Sequence, residues 1–155
     1  MSRVSFFLLA SLIAVLDQVS KFFVLKYLSL HQGCEVIRGF LSFVRVQNTG
    51  TAFGLFRGSV VFFSALTVIT IFLLILYYLQ FAHSFRLTSL GLSLILGGAL
   101  GNLIDRIFRG HVIDFLDFYY QDYHWYTFNV ADSAISIGAG CLILNLFLHP
   151  ETLKS

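Results

Sequence analysis

The sequence predicts an all-α integral membrane protein with four transmembrane helices and a small antiparallel sheet in the first extramembrane loop. Three observations carry that expectation. Only 12% of the 155 residues are charged and 57% are hydrophobic, whereas soluble domains carry about 25% charged residues. Four segments, at about 4–27, 59–79, 88–108 and 131–148, reach the roughly 20 mostly apolar residues that a bilayer-crossing helix needs. Between the first two, "EVIRGFLSFVRVQ" (Glu35 to Gln47) mixes β-branched and aromatic residues in partial alternation around Gly39, the pattern of two short strands or a hairpin. There is no internal repeat and only one proline, so a single membrane-embedded domain over 1–155 is expected.

The first span opens with "MSRVSFFLLASLIAVL", a positive start and an apolar run of signal-peptide type. No small-x-small cleavage site follows, and "DQVSKFFVLKYL" resumes the apolar pattern, so a retained helix is expected. Asp17 and Lys21 are four apart and share a helix face. They fit either a pair turned into the bundle or an ion pair snorkelling at a helix end. In "QNTGTAFG", Asn48 and Gly50 suggest a turn, and Gly54 permits close backbone approach. Asn48 is also a candidate hydrogen-bonding residue for something docked there.

The second span, "SVVFFSALTVITIFLLILYYL", carries no charge at all. The third ends in "GGALGNLIDRIF", where Gly97 and Gly101 form a small-xxx-small pair suited to tight helix packing. Asn102, Asp105 and Arg106 follow at i, i+3 and i+4 and approach one face. They fit packing with an intramembrane Asp–Arg pair, or a functional cluster. The fourth span opens with "FNVADSAI", in which Asn129 is a good N-cap and Asp132, three residues on, imitates a capping box.

The link between the third and fourth spans sets Asp114, Asp117 and Asp122, with Asp132 just beyond, among many aromatic side chains. Tyr and Trp mark the headgroup region of a bilayer, so Asp114 and Asp132 are expected near the hydrocarbon boundary. Asp117 and Asp122 read as solvated loop acids. Two acids brought together in such a place cannot both ionise easily, and the pair shares a proton. That is the aspartic-protease arrangement, in which one carboxylate takes a proton from water and the other donates to the substrate carbonyl. Spacing alone does not bring them together. A solvated acid after a glycine turn at Gly110 and a helix cap are the structural alternatives for Asp114 and Asp132.

Other chemistries fit less well. His111 and Asp114 stand at i, i+3 without further ligands, so no metal or other cofactor is expected. The serines near Asp132 lack an obvious general base. Cys34 and Cys141 lie in dissimilar surroundings and are not expected to pair. "HQGC" puts His31 and Gln32 ahead of Cys34, a poor lipid-attachment motif. A net charge of +2 without a basic run speaks against nucleic acid. A small proton-coupled four-helix transporter is the main rival, because intramembrane acids often mark proton relays. Against it, the acids sit at helix mouths and no repeat symmetry is visible. A structural assembly subunit with the acids as caps is a third reading.

Four spans put both termini on one side and loops one and three together on the other. Arg3, Arg86 and Lys154 fall on the termini side, and Arg38, Arg45, Arg57 and Arg109 on the other. The positive-inside count therefore leans towards cytoplasmic polar loops.

Taken jointly and in order, "DQVSK", "NTGTAFG", "GGALGNLIDRIFRGHVIDF" and "FNVADSAI" resemble bacterial lipoprotein signal peptidase, the type II signal peptidase, over nearly the whole chain. The resemblance implies an aspartic endopeptidase of the inner membrane. Such an enzyme removes the signal peptide of prolipoproteins just before a cysteine that already carries diacylglycerol. It implies that Asp114 and Asp132 are catalytic. Asn48 with Gly50 of its turn, Asn102, Arg106 and Asn129 would line or support the substrate site, and Asp17, Lys21 and Asp105 would brace it. It also implies a β-cradle and a short helical element on the periplasmic side, the latter from the segment after Asn48. Both termini would be cytoplasmic, against the Lys/Arg lean; the resemblance is preferred because lipoprotein cleavage lies at the outer leaflet. The partners implied are the diacylglyceryl-modified prolipoprotein and membrane lipids, with a monomer expected because one chain supplies the whole site.

Overall fold

The computed structural model describes residues 1–31, 33–50, 59–81 and 85–149. Four helices, α1 (Arg3–Tyr27), α2 (Val60–Gln80), α3 (Arg86–Arg109) and α4 (Val130–Leu148), are each long and apolar enough to cross a membrane. The helix expected directly after Asn48 falls mainly on 51–58, outside the described residues, as do Gly54 and Arg57.

The third helix is the centre of the bundle. Its buried residues, among them Gly91, Leu92, Leu96, Gly97, Gly101 and Asp105, lie on more than one side of the helix. On α1 the buried stripe is Phe6, Ala10, Ala14, Asp17, Lys21 and Val24, steps of three and four residues that keep one side of a helix inward. Small residues let these backbones meet. A Cβ on Gly97 would stand 2.6 Å from the Ala10 carbonyl oxygen, and one on Gly91 would stand 2.7 Å from that of Gly138 on α4. The expected small-xxx-small pair therefore serves α1–α3 packing, and α4 uses the opposite flank of α3. By contrast α2 buries only Tyr78, whose ring stacks on Phe6 at 3.6 Å between centroids. Ile71, Leu74, Ile75 and Leu79 are half-buried against the same cluster, whereas Phe62, Ile69 and Phe72 face outward.

Helix α3 ends at Gly110, whose φ of 71° puts it in the left-handed region and turns its N–H back to the Arg106 carbonyl. That conformation costs glycine little. The chain then runs straight into a strand. The sheet has four antiparallel strands in the order β1-β2-β3-β4: β1 (Gly33–Ile37), β2 (Leu41–Asn48), β3 (Val112–Tyr120) and β4 (Tyr123–His124). The two strands expected in the first loop are present, but the sheet is not confined to that loop. Half of its strands come from the third. Strand β3 pairs along β2 from Leu41↔Phe118 to Asn48↔Val112, with an irregularity between Phe43 and Val46. Loops one and three are thus joined by a backbone ladder.

This corrects the reading of Asp117 as a solvated acid. It is buried on β3, opposite Ser42, whose hydroxyl donates to its Oδ2 at 2.9 Å, and it pairs with His124 Nδ1 at 2.9 Å. The aspartates interrupt the apolar alternation of "VIDFLDFYY", which hid the strand. Asp122 does lie exposed, in the turn between β3 and β4.

Candidate active site

The polar residues of five segments converge where the bundle meets the sheet. Asp114 is the third residue of β3, beyond the glycine turn that closes α3, and it is buried. Asp132 lies in the first turn of α4. The capping box anticipated there is formed: Asn129 Oδ1 accepts the Asp132 N–H at 2.9 Å, and Asp132 Oδ2 accepts the Asn129 N–H at 3.3 Å. Capping does not exhaust the role of Asn129. Its amide nitrogen also donates to Asp114 Oδ1 at 2.7 Å. One asparagine therefore touches both acids, and it is completely buried.

The outer oxygens of the two acids are held by two further carboxamides. Asn48, at the end of β2, donates to Asp114 Oδ2 at 2.9 Å, and Asn102 on α3 donates to Asp132 Oδ1 at 2.8 Å. The Asn102 carbonyl accepts from Asn129 and from Lys21 Nζ, both at 3.1 Å. Gly50 N–H donates to Asn48 Oδ1 at 2.9 Å, the local turn that the "NTG" triplet suggests. All four oxygens of the acid pair thus accept hydrogen bonds from protein groups.

Asp17, Lys21 and Asp105 form a buried tier behind this cluster. Lys21 Nζ sits 2.7 Å from Asp17 Oδ2 and 2.8 Å from Asp105 Oδ2, with all three side chains fully buried. Lys21 does not snorkel: its three ammonium hydrogens match three acceptors, the two carboxylates and Asn102. Asp105 also pairs with Arg109, one helical turn further on, and not with the adjacent Arg106. Gln18 donates to Asp17 Oδ2, to Asp105 Oδ1 and to the Gly101 carbonyl at 3.0–3.2 Å. The sequence reading missed Gln18 and Arg109, although the i, i+4 spacing of Asp105 and Arg109 was a usable signal. Arg106 makes no described ion pair but lies within electrostatic reach of Asp132 and Asp114.

The electrostatics of Asp114 follow from this setting. Burial, and next the charge of Asp132, push its carboxyl up from 3.8 to about 7, against the hydrogen bonds from Asn48 and Asn129. Burial disfavours the charged form, and a nearby like charge does so too. The acid therefore carries a proton over much of the pH range in which an ordinary aspartate is ionised. Beside Asp132 opens a cavity of about 540 Å³, lined by Trp125, Tyr126, Phe128, Ile135 and Ser136 among others. Its walls are mostly apolar, with Asp132, Ser133, Ser136 and Tyr126 adding polar groups, the composition expected of a ligand site.

The comparisons agree with this architecture. The family profile described as "Signal peptidase (SPase) II" matches residues 9–148. A lipoprotein signal peptidase of Symbiobacterium thermophilum is 45% identical over 141 residues, covering 90% of this chain and 92% of the relative. Another, of Syntrophus aciditrophicus, is 43% identical over 148 residues and covers 91% of each. A solved structure described as a bacterial membrane enzyme superposes with a TM-score of 0.90 at 31% identity, over 97% of this chain and 92% of that one. Four apolar helices, a sheet that ties two loops together, and a match running through both acids and their carboxamide partners lead to one assignment: this chain belongs to the signal peptidase II family.

Proposed function

We propose that the chain is an intramembrane aspartic endopeptidase that cleaves the signal peptide from diacylglyceryl-modified prolipoproteins just before the lipidated cysteine. The observation that carries this reading is the joint tethering of Asp114 and Asp132 by Asn129, with Asp132 lining the adjoining apolar cavity.

The chemistry follows from two carboxyl groups that share one proton. Asp114, whose carboxyl is raised to about 7, is the member that holds it. Asp132 in its ionised form takes a proton from a water between the acids. The hydroxide so formed attacks the carbonyl carbon of the residue before the cysteine, while Asp114 gives its proton to the carbonyl oxygen. The resulting gem-diol is neutral and hydrogen-bonded to both acids. Its collapse breaks the C–N bond, and the proton gained by Asp132 passes to the departing cysteine nitrogen. Asp114 is reprotonated from the newly formed carboxyl group. Fixed positioning of water and peptide supplies much of the acceleration. Arg106 holds the substrate backbone, Asn48 orients Asp114 through the amide it donates to that acid, and the signal helix and acyl chains enter laterally along the apolar cavity.

In this reading the protein resides in the bacterial inner membrane with both termini cytoplasmic and the site near the periplasmic face. It works as a monomer and without a cofactor. The test is cleavage of a purified diacylglyceryl-modified prolipoprotein, with the products identified by mass. The expected mature product begins at the lipidated cysteine, and neither a chelator nor a serine-directed inhibitor prevents its appearance. Cleavage elsewhere, or transport across vesicles without cleavage, contradicts the proposal.

A further inference from the structure

Asn48 is held by three hydrogen bonds, and one of them comes from outside the residues so far given a role. One amide hydrogen goes to Asp114 Oδ2 at 2.9 Å, its carbonyl accepts Gly50 N–H at 2.9 Å, and the other amide hydrogen goes to the Tyr126 hydroxyl oxygen at 2.8 Å. A carboxamide has two donors and one acceptor oxygen, so this set fixes which end faces the acid. A flipped amide would turn its oxygen against the Asp114 carboxyl and its nitrogen against a backbone N–H. Tyr126 arrives from the chain between β4 and α4, three residues before Asn129. It is half-buried, and its side chain also lines the cavity next to Asp132.

We propose that Tyr126 is a positioning residue for the reaction: its hydroxyl holds the Asn48 carboxamide against Asp114 and so sets the orientation of that acid. The inference rests on the dyad reading above and deepens it. Asn129 anchors the inner oxygen of Asp114 from the α4 side. The Tyr126–Asn48 pair anchors the outer oxygen from the sheet side. Without the hydroxyl, Asn48 keeps its bonds to Gly50 and Asp114, but one amide hydrogen loses its acceptor and the donor to Asp114 is held less firmly. That donor favours the ionised carboxylate. The charged and titratable groups acting on Asp114 besides it are Asp132 and Lys21, with Arg106 also in electrostatic reach.

The test is a kinetic comparison of the full-length protein, its Tyr126→Phe and Asn48→Ala variants and the double variant. The probe is a diacylglyceryl-modified prolipoprotein, with kcat and KM measured across pH. Tyr126→Phe is expected to lower kcat by between about 10- and 100-fold, the scale of a misplaced catalytic group, while KM changes by less than about 2-fold. Its alkaline limb should move to higher pH. The double variant should be no slower than Asn48→Ala alone, because the two residues act as one unit. A wild-type kcat and pH profile in Tyr126→Phe overturns the proposal. So does an effect confined to KM, a loss equal at every pH that tracks a lowered thermal midpoint, or losses that multiply in the double variant. Asp114→Asn is measured alongside. If it is inactive and Tyr126→Phe behaves as wild type, only the positioning role falls; if Asp114→Asn still cleaves, the dyad reading itself falls.

Discussion

The Asp105 carboxylate accepts the backbone N–H of Ile113 at 3.0 Å, one residue ahead of Asp114. Its counterpart Asp17 accepts the N–H of Ala131 at 3.0 Å, one residue ahead of Asp132. Lys21 bridges Asp17 and Asp105. The buried tier therefore grips the main chain beside each candidate catalytic acid, and a single ammonium ties the two grips together. Position is transmitted through backbone, so the bracing residues need not touch substrate.

Lys21→Met tests that bracing. Removing the cation leaves two carboxylates buried and facing one another, and breaking a buried ion pair from one side costs about 3–5 kcal/mol. The expected result is a large fall in thermal midpoint in detergent, together with loss of cleavage. Lys26→Met, at an exposed position on the same helix, should melt close to the wild type. Equal midpoints for the two variants would refute the brace.

Two glycines separate packing from propensity. A Cβ at Gly101 would stand 2.6 Å from Asp17 Oδ2, whereas one at Gly140 would meet nothing within 4 Å. Gly140→Ala removes backbone freedom from the unfolded chain and should be neutral or stabilising by up to about 1 kcal/mol. Gly101→Ala forces Asp17 off Ala131 and should destabilise by about 1–3 kcal/mol while lowering activity. Denaturation of the two variants side by side checks the sign of each.

Stability should carry the signature of Asp114. Its folded-state value of about 7 lies above the ordinary 3.8, so between those values the folded chain keeps a proton that the unfolded chain releases. The contribution is fully present below about 3.8 and is lost as pH rises through about 7. Measured as the difference between wild type and Asp114→Asn, relative stability should decline from pH 4 to pH 7 and then level off. A difference that is flat over this window, or that rises, contradicts the burial of a protonated Asp114.

Much of this arrangement is legible in the sequence, for identifiable reasons. The helices follow from uninterrupted apolar length, and the capping box at Asn129 and Asp132 follows from local spacing. The Asp17–Lys21 pair is an i, i+4 relation on one helix. Strand β3 was not legible, because Asp114 and Asp117 break the alternation that marks a half-buried strand. Their burial depends on partners distant in sequence, such as Asn48, Ser42 and Asn129. The partners of Asp105 were not legible for a related reason. The neighbouring Arg106 looked available, but Lys21 comes from another helix and Arg109 from the next turn. The aromatic run around Trp125 read as a membrane belt, and nothing local signalled that the Tyr126 hydroxyl meets Asn48.

The most direct measurement of the central claim is single-turnover cleavage of a diacylglyceryl-modified prolipoprotein by purified Asp114→Asn, Asp132→Asn and Asp117→Asn. General acid–base residues contribute about 10²–10⁴-fold each, so the first two variants should form essentially no product on the wild-type timescale while remaining folded. Asp117→Asn breaks the contacts to Ser42 and His124 and should lose stability but retain cleavage. Product formed at the wild-type rate by either Asp114→Asn or Asp132→Asn would contradict a shared-proton pair acting on one water.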